Sequence, residues 1–183
     1  MIFEATPLAG VVLITPEPAR DDRGEFGRLY CAQTFAAQGL DPSLDQISYS
    51  FNRRKGTLRG LHLQRPPHGE VKLVRVTAGV IFDVAVDLRA GSPTFGRWHG
   101  VELGAANRRQ LYIPVGFAHG FQTLTDAAEV TYHISVPYVP GAQDGVRWDD
   151  PAIGIAWPDA AAAILNDRDQ AMPTLADFEP VPC

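Results

Sequence analysis

Short apolar runs recur along the chain, separated by residues that are typical of turns. Residues 71–76 alternate apolar and polar side chains, and residues 80–87, rich in β-branched side chains, follow directly after Ala78-Gly79. Four further runs have a similar character: residues 98–103, 109–113, 120–124 and 129–135. Evenly spaced strands with no helical periods between them predict an antiparallel β-sandwich or β-barrel.

Only two segments favour a helix. Residues 32–39 predict one or two helical turns that end at Gly39, and residues 158–165, with their run of alanines, predict another. The chain contains no internal repeat, no low-complexity segment and no linker between domains. We therefore expect an all-β fold with a few short helices, forming a single domain over residues 1–183.

The composition is that of a folded protein with many turns. Seventeen Gly and fifteen Pro among 183 residues favour turns, and 45% hydrophobic with 20% charged residues is enough to build a core. A formal net charge of -5 argues against nucleic-acid binding, because the phosphate backbone attracts basic surfaces. Fourteen Arg against two Lys still suit a local phosphate site, since the guanidinium fork matches phosphate geometry.

The location of the protein is predicted from three features. No stretch approaches the roughly 18 consecutive apolar residues that cross a membrane. The first residues lack the basic region of a secretory signal and include Glu4. The two cysteines, Cys31 and Cys183, do not make a disulfide framework. We expect a cytoplasmic protein that binds neither a membrane nor a nucleic acid.

Polar residues inside apolar strands are the first candidates for chemistry. Arg59 and His62 lie three positions apart, so strand alternation places them on opposite faces unless Gly60 forms a bulge. A lone histidine in such a strand is more often a core residue than a catalyst. Lys72, however, lies between two apolar neighbours, and a lysine is rarely buried without a partner or a task.

A second signal is the turn at residues 114–119, which presents His119 at the start of a strand. It resembles the second motif of the cupin β-barrels, in which that histidine is often a metal ligand. The first cupin motif has two histidines one residue apart, and here the pair is His62 and Gln64. His62, His119 and Glu70 could still form an open three-ligand site, so a metal-dependent cupin enzyme is one alternative.

Several ordered strings together carry a closer resemblance. They are residues 59–62 (Arg-Gly-Leu-His), 72–75 (Lys-Leu-Val-Arg), 83–89, 92–96, 113–121, 145–151 and 155–158. In this order, over about residues 23 to 169, they resemble the dTDP-4-dehydrorhamnose 3,5-epimerase family. Each string alone is a weak signal, and their ordered sum is strong.

The resemblance implies a cupin-type antiparallel β-barrel, or jelly roll, and a homodimer that exchanges N-terminal strands. It also implies an isomerase with neither metal nor cofactor that acts on a nucleotide-diphospho-4-keto-6-deoxy sugar. Such an enzyme inverts C3, C5 or both through an enolate. A non-catalytic sugar-nucleotide-binding cupin is the second alternative.

Inverting a carbon beside a ketone requires a base, a charge that stabilises the enolate, and an acid on the opposite face. The family pattern implies that His62 is the base and that Asp169 orients its imidazole. It implies that Lys72 stabilises the oxyanion at the 4-keto oxygen and that Tyr132 is the acid.

The resemblance also implies substrate-binding residues. Arg23 and Arg59 match positions near the diphosphate, and Tyr138 matches the residue that stacks on the base. The complete set is Arg23, Phe26, Gln46, Ser48, Arg59, His119 and Tyr138. Departures from the family pattern occur near the nucleotide and the sugar hydroxyls, at Ser48, Gln143 and Arg168. They leave the identity of the sugar and of the nucleotide open.

Overall fold

A computed structural model describes residues 1–182, and most of its regular secondary structure is β-strand. The strands are β1 (Ile2–Ala5), β2 (Val12–Thr15), β3 (Ala19–Asp21), β4 (Gly24–Phe26), β5 (Gln46–Asn52), β6 (Leu58–Gln64), β7 (Lys72–Ala78), β8 (Val80–Asp87), β9 (Trp98–Gly104), β10 (Gln110–Ile113), β11 (Phe117–Thr123), β12 (Ala128–Ile134) and β13 (Gln143–Gly145). The helices are α1 (Ala32–Ala37) and α2 (Asp167–Gln170), with one 3₁₀ turn at Ala160–Ala162.

The strands form two large sheets and one hairpin. A six-stranded sheet has the order β1-β2-β10-β7-β12-β5, and a five-stranded sheet has the order β13-β6-β11-β8-β9. Strands β3 and β4 pair only with each other, and neighbouring strands in all three sheets are antiparallel. This arrangement is a cupin-type jelly roll, so the predicted all-β fold class is confirmed.

Strand alternation builds the core between the two sheets. The inward-facing apolar side chains of the six-stranded sheet pack against those of the five-stranded sheet in one buried cluster. Its members include Val74, Val76, Leu111, Val130, Ile81, Ala85, Phe117 and Phe121. Full burial of a side chain of this size contributes about 1.5–3 kcal/mol, so this layer holds the sheets together.

The outer faces of the two sheets are covered differently. On the five-stranded sheet, Trp157, Phe178 and Val181 from the C-terminal segment belong to a second buried cluster. On the six-stranded sheet, Phe35 of α1 packs with Tyr112 of β10. The outward side chains of β5 stay exposed, including Tyr49 at 74% exposure.

The prediction of a helix over residues 158–165 is wrong. Only the 3₁₀ turn forms there, because the backbone of Ile164 pairs with the segment before β6 instead of continuing a helix. Leu58 donates to the carbonyl of Ile164, and Ile164 donates to the carbonyl of Gly56. Among residues 1–182, no helix has the length and apolarity needed to cross a membrane.

Candidate active site

A cavity of about 340 Å³ lies between the two sheets. Its walls come from both sheets and from α2, so residues distant in sequence meet there. The lining side chains are Gln46, Ser50, Arg59, His62, Glu70, Lys72, His119, Phe121, Tyr132, Ile134, Tyr138, Gln143, Asn166, Arg168 and Asp169. All four predicted catalytic residues are in this set.

His62 and Asp169 form a hydrogen-bonded pair. His62 Nε2 lies 2.7 Å from Asp169 Oδ1, and the other carboxylate oxygen accepts the backbone N–H of Gly60 at 3.1 Å. Asn166 caps α2 by accepting the backbone N–H of Asp169, which fixes the carboxylate on this short helix. Burial favours the neutral acid, but the bonds from His62 and Gly60 outweigh it and lower the pKa of Asp169. The carboxylate therefore accepts from Nε2–H, and in the neutral imidazole the lone pair is then on Nδ1.

A bulge in β6 brings Arg59 to the same cavity as His62. The pairing with β11 shifts between His119, opposite His62, and Phe121, opposite Arg59. Gly60 forms the bend with a φ of 135°, a backbone conformation that residues with a side chain rarely adopt. The alternative that the sequence left open, in which a bulge overrides strand alternation, is therefore the one that occurs.

Lys72 is buried with two partners. Its Nζ lies 2.9 Å from Glu70 Oε1 and donates to the backbone carbonyl of His62 at 3.1 Å. The expectation that this lysine has a partner is confirmed. The ammonium group lies beside the histidine that is the candidate base.

A second histidine–carboxylate pair lies deeper in the barrel. His119 Nε2 is 2.7 Å from Asp83 Oδ1, and both side chains are buried. The Tyr132 ring stands edge-on to the His119 ring, with 5.8 Å between centroids. Burial, and then the charge of Asp83, raise the pKa of Tyr132 despite the opposing charge of Arg59, so the phenol stays protonated.

The predicted nucleotide-binding residues meet at the cavity edge. Gln46 accepts the backbone N–H of Tyr138 at 3.0 Å and donates to Ser48 Oγ at 2.9 Å. The Tyr138 ring is 51% exposed, and its hydroxyl donates to Gln143 at 3.4 Å. Ser48 supports Gln46 without itself lining the cavity. The exposed ring face is available for stacking.

Arg23 and Phe26 are not brought to this cavity. They lie at the β3–β4 hairpin, where Arg23 binds Asp21 through its guanidinium and Phe26 is 86% exposed. A salt bridge of 2.5 Å from Glu25 to Arg108 ties the hairpin to the body of this chain.

Gln64, which takes the place of the second histidine of the cupin motif, has a structural role. It is buried, donates to the carbonyls of His68 and Pro137, and accepts the backbone N–H of Val139. Within residues 1–182, no group of three or more His, Cys, Asp or Glu side chains is arranged to hold a metal ion. The candidate ligand set from the sequence is therefore not assembled.

Sequence reasoning missed Asn166 and Asn52 as supports of the site. Asn166 precedes Asp167-Arg168-Asp169, and an asparagine followed by acidic residues is an N-cap signal that could have located α2. Asn52 is buried and accepts from Arg59 Nε at 2.8 Å, a contact that depends on the pairing of β5 with β12. The sequence around Asn52 carries no comparable signal.

The fold is a jelly roll, and the candidate proton-transfer residues lie on two facing walls of its cavity. The family model for dTDP-4-dehydrorhamnose 3,5-epimerase matches residues 5–177. The chain belongs to the dTDP-4-dehydrorhamnose 3,5-epimerase family.

Relatives support this assignment over nearly the full chain. A dTDP-4-dehydrorhamnose 3,5-epimerase from Pseudomonas aeruginosa is 44% identical and is aligned over 98% of this chain and 100% of its own. The crystal structure of one from Elizabethkingia anophelis has a TM-score of 0.93 at 38% identity, covering 97% of both chains. A 3,5-epimerase from Legionella pneumophila, in complex with dTDP-4-keto-L-rhamnose, has a TM-score of 0.91 at 37% identity, covering 97% of this chain and 94% of that one.

Proposed function

We propose that the protein inverts C3 and C5 of a dTDP-linked 4-keto-6-deoxy sugar through an enolate. One observation carries the proposal. His62 and Tyr132 face the same cavity from opposite sheets, β6 on one side and β12 on the other. Inversion requires a base and an acid on opposite faces of the reacting carbon, and this placement supplies both.

The proposed chemistry starts with the free Nδ1 of His62, which removes the proton from the carbon beside the 4-keto group. The electron pair of the C–H bond forms the C=C bond of the enolate, the π pair of the carbonyl moves to its oxygen, and the ammonium group of Lys72 stabilises the negative charge that develops there. The Tyr132 hydroxyl then donates a proton to the opposite face of the same carbon. Proton exchange with solvent restores the neutral imidazole and the phenol.

Binding of the nucleotide is proposed for the cavity edge. Arg59 is suited to the diphosphate because its guanidinium presents N–H groups in the cavity, and His119 lines the cavity near it. The exposed Tyr138 side chain, whose backbone N–H is bonded to Gln46, offers a platform for the base. Arg168 is exposed at the same edge and adds positive charge.

A homodimer by strand exchange completes the proposal, with residues 1–183 as one domain per subunit. Arg23 and Phe26 extend away from this chain's own cavity on the exposed β3–β4 hairpin. The outward face of β5 also exposes three large apolar side chains, those of Ile47, Tyr49 and Phe51. A second copy that covers this face could receive the hairpin at its own cavity.

The decisive experiment follows deuterium from heavy water into dTDP-4-keto-6-deoxyglucose by proton NMR. Exchange at both C3 and C5, with inverted product, is the expected result for the wild-type enzyme. Exchange at one carbon alone would indicate a mono-epimerase, and no exchange at either would refute the proposal.

A matched variant controls for contaminating activity. His62→Gln places an amide nitrogen near the position of Nε2, so it can still bond to Asp169, but it removes the basic nitrogen. We expect its exchange rate to fall by about 10²-fold or more, with an unchanged thermal melt. Deuterium exchange at the wild-type rate in this variant would exclude His62 as the base.

A further inference from the structure

Glu70 is a largely buried acidic residue of the cavity to which the proposed chemistry assigns no task. Its side chain is 9% exposed, although it stands at the edge of β7 and not within the apolar core. Carboxylates are almost never buried to this extent unless they are paired. Its partner is Lys72, whose side chain is 11% exposed.

The two contacts of the Lys72 ammonium define its orientation. Glu70 Oε1 accepts at 2.9 Å and the carbonyl oxygen of His62 accepts at 3.1 Å. An ammonium group has three N–H bonds, so two are directed at the protein and the third is left for a ligand. Lysine by itself is a flexible four-carbon chain, and without these acceptors its Nζ would sample many positions.

The backbone around Glu70 is itself held in place. Ser135 Oγ accepts the N–H of Val71, and the carbonyl of His68 accepts from buried Gln64. The carboxylate therefore projects from a fixed segment and gives the lysine a fixed partner.

We propose that Glu70 is a positioning residue, which holds Lys72 Nζ beside the candidate base so that its third N–H meets the developing oxyanion. The inference rests on the proposed function, because it specifies how the enolate is stabilised at the same site. Glu70 acts only through Lys72 and does not touch the reacting carbon.

The first test needs no enzymatic activity. The chain has two lysines, so ¹⁵N-lysine labelling gives an ammonium NMR spectrum with at most two signals, and exposed Lys55 is the internal reference. We expect a slowly exchanging signal from buried Lys72 in the wild type, its loss in Glu70→Ala, and its retention in Glu70→Gln, whose amide oxygen still accepts. An unchanged Lys72 signal in Glu70→Ala would overturn the inference.

The second test measures turnover. We expect Glu70→Ala to lower kcat by about tenfold or more with little change in KM, and Glu70→Gln to recover most of the loss. Glu129→Ala is the matched control, because Glu129 is a carboxylate on the outward face of the same sheet, bonded to Thr77. A lower melting temperature in Glu70→Ala with unchanged kcat would indicate a structural role and overturn the inference.

A double-mutant comparison separates action through Lys72 from a direct role. In a Lys72→Ala background, Glu70→Ala should cause no further loss of deuterium exchange. A further tenfold loss in that background would show that Glu70 acts independently and refute the inference. Absence of exchange in the wild type would instead refute the proposed function, whatever the lysine signal shows.

Discussion

At the scale of single residues, the cavity arranges its charges in pairs. Four basic side chains on its wall, those of Arg59, His62, Lys72 and His119, each have a carboxylate or amide partner, which fixes the direction of the group. Three pairs have contacts of 2.7–2.9 Å: His62 with Asp169, His119 with Asp83, and Lys72 with Glu70. Tyr132 differs, because among the described residues its hydroxyl has no hydrogen-bond partner, and its proton is retained by burial.

Tyr132→Phe tests the acid at this scale. The phenol is the proposed proton donor, so its removal should lower the rate of inversion by about 10²-fold or more. Deuterium exchange with retention of configuration should continue, because His62 still removes and returns a proton on its own face. Proton NMR of product and recovered substrate separates the two processes. Inversion at the wild-type rate would exclude Tyr132 as the donor.

At the scale of elements, the β6 bulge determines which side chains reach the cavity. A Cβ at Gly60 would lie 2.5 Å from the Cα of Gly120, so backbone would have to move to admit any side chain. The same bend lets the Gly60 N–H bond to Asp169. The bend at Gly60 therefore places Arg59 and His62 at the same cavity and also supplies a hydrogen bond to Asp169.

Gly60→Ala should lower the free energy of unfolding by about 3 kcal/mol or more, since it adds a clash to an unfavourable φ. Gly39→Ala is the control, with a φ of 74° and no atom within 4 Å of its added Cβ. The control should cost about 1 kcal/mol, the backbone penalty alone. Urea denaturation measures both. Equal losses in the two variants would contradict the packing argument.

The loop after β8 depends on one buried carboxylate. Asp87 accepts from Ser92, Thr94 and Arg89, with distances of 2.6, 2.6 and 2.7 Å at Oδ2. Burial opposes ionisation, but these bonds dominate and lower the pKa of Asp87 to about 2. The unfolded chain therefore binds a proton more readily, and the stabilisation present above about pH 4 is lost as the pH falls towards 2.

Asp87→Asn should cost about 2 kcal/mol at pH 7, and this difference from the wild type should shrink as the pH falls below 4. Urea unfolding at several pH values measures the difference. Asp149→Asn is the control, because Asp149 and Arg147 are both 38% exposed and such surface pairs contribute at most about 1 kcal/mol. A difference for Asp87→Asn that is the same at pH 7 and pH 3 would contradict the argument.

The sequence predicted the elements that carry a strong periodic pattern. β7 and β8 are long and apolar, so their positions could be read directly. β3 and β4 are exposed and have three residues each, too short for any periodicity. α2 is a single turn, and although its Asn166 cap is a local signal, its contact with β6 cannot be read from neighbouring residues.

The site was predictable in its residue types but not in its geometry. Lys72 could be singled out because a lysine between apolar neighbours needs a partner, yet the identity of that partner depends on the loop that presents Glu70. His62 and Asp169 are 107 residues apart, and only the family resemblance connected them. The position of Arg23 away from the cavity depends on the fold of the hairpin, which the sequence pattern did not reveal.

At the scale of the whole molecule, the candidate active-site cavity lies between the two sheets, while the β3–β4 hairpin extends away from it. The proposed dimer would bring Arg23 and Phe26 of one subunit to the cavity of the other. Each active site would then be shared between two copies of the chain.

Mixed dimers test this sharing. Homodimers of Arg23→Ala and homodimers of His62→Gln should each be weakly active or inactive. If the hairpin is exchanged, a hybrid dimer has one intact site, with His62 from the Arg23→Ala subunit and Arg23 from the His62→Gln subunit. Random mixing should recover about a quarter of the wild-type activity, because half of the dimers are hybrids with one site each. Arg20→Ala, on the same hairpin, is the control and should stay active. Hybrid dimers without recovered activity would contradict strand exchange.

The bond between His62 and Asp169 affects when the enzyme loses its activity on unfolding and when it regains it on refolding. The carboxylate lies on the short helix α2, outside the two sheets, and contacts β6 through Gly60 and His62. Segments of this kind open locally at a lower free energy than the core strands. On heating, catalytic activity should therefore be lost at a lower temperature than the β-barrel unfolds. On refolding, the chain should regain its secondary structure before it regains activity.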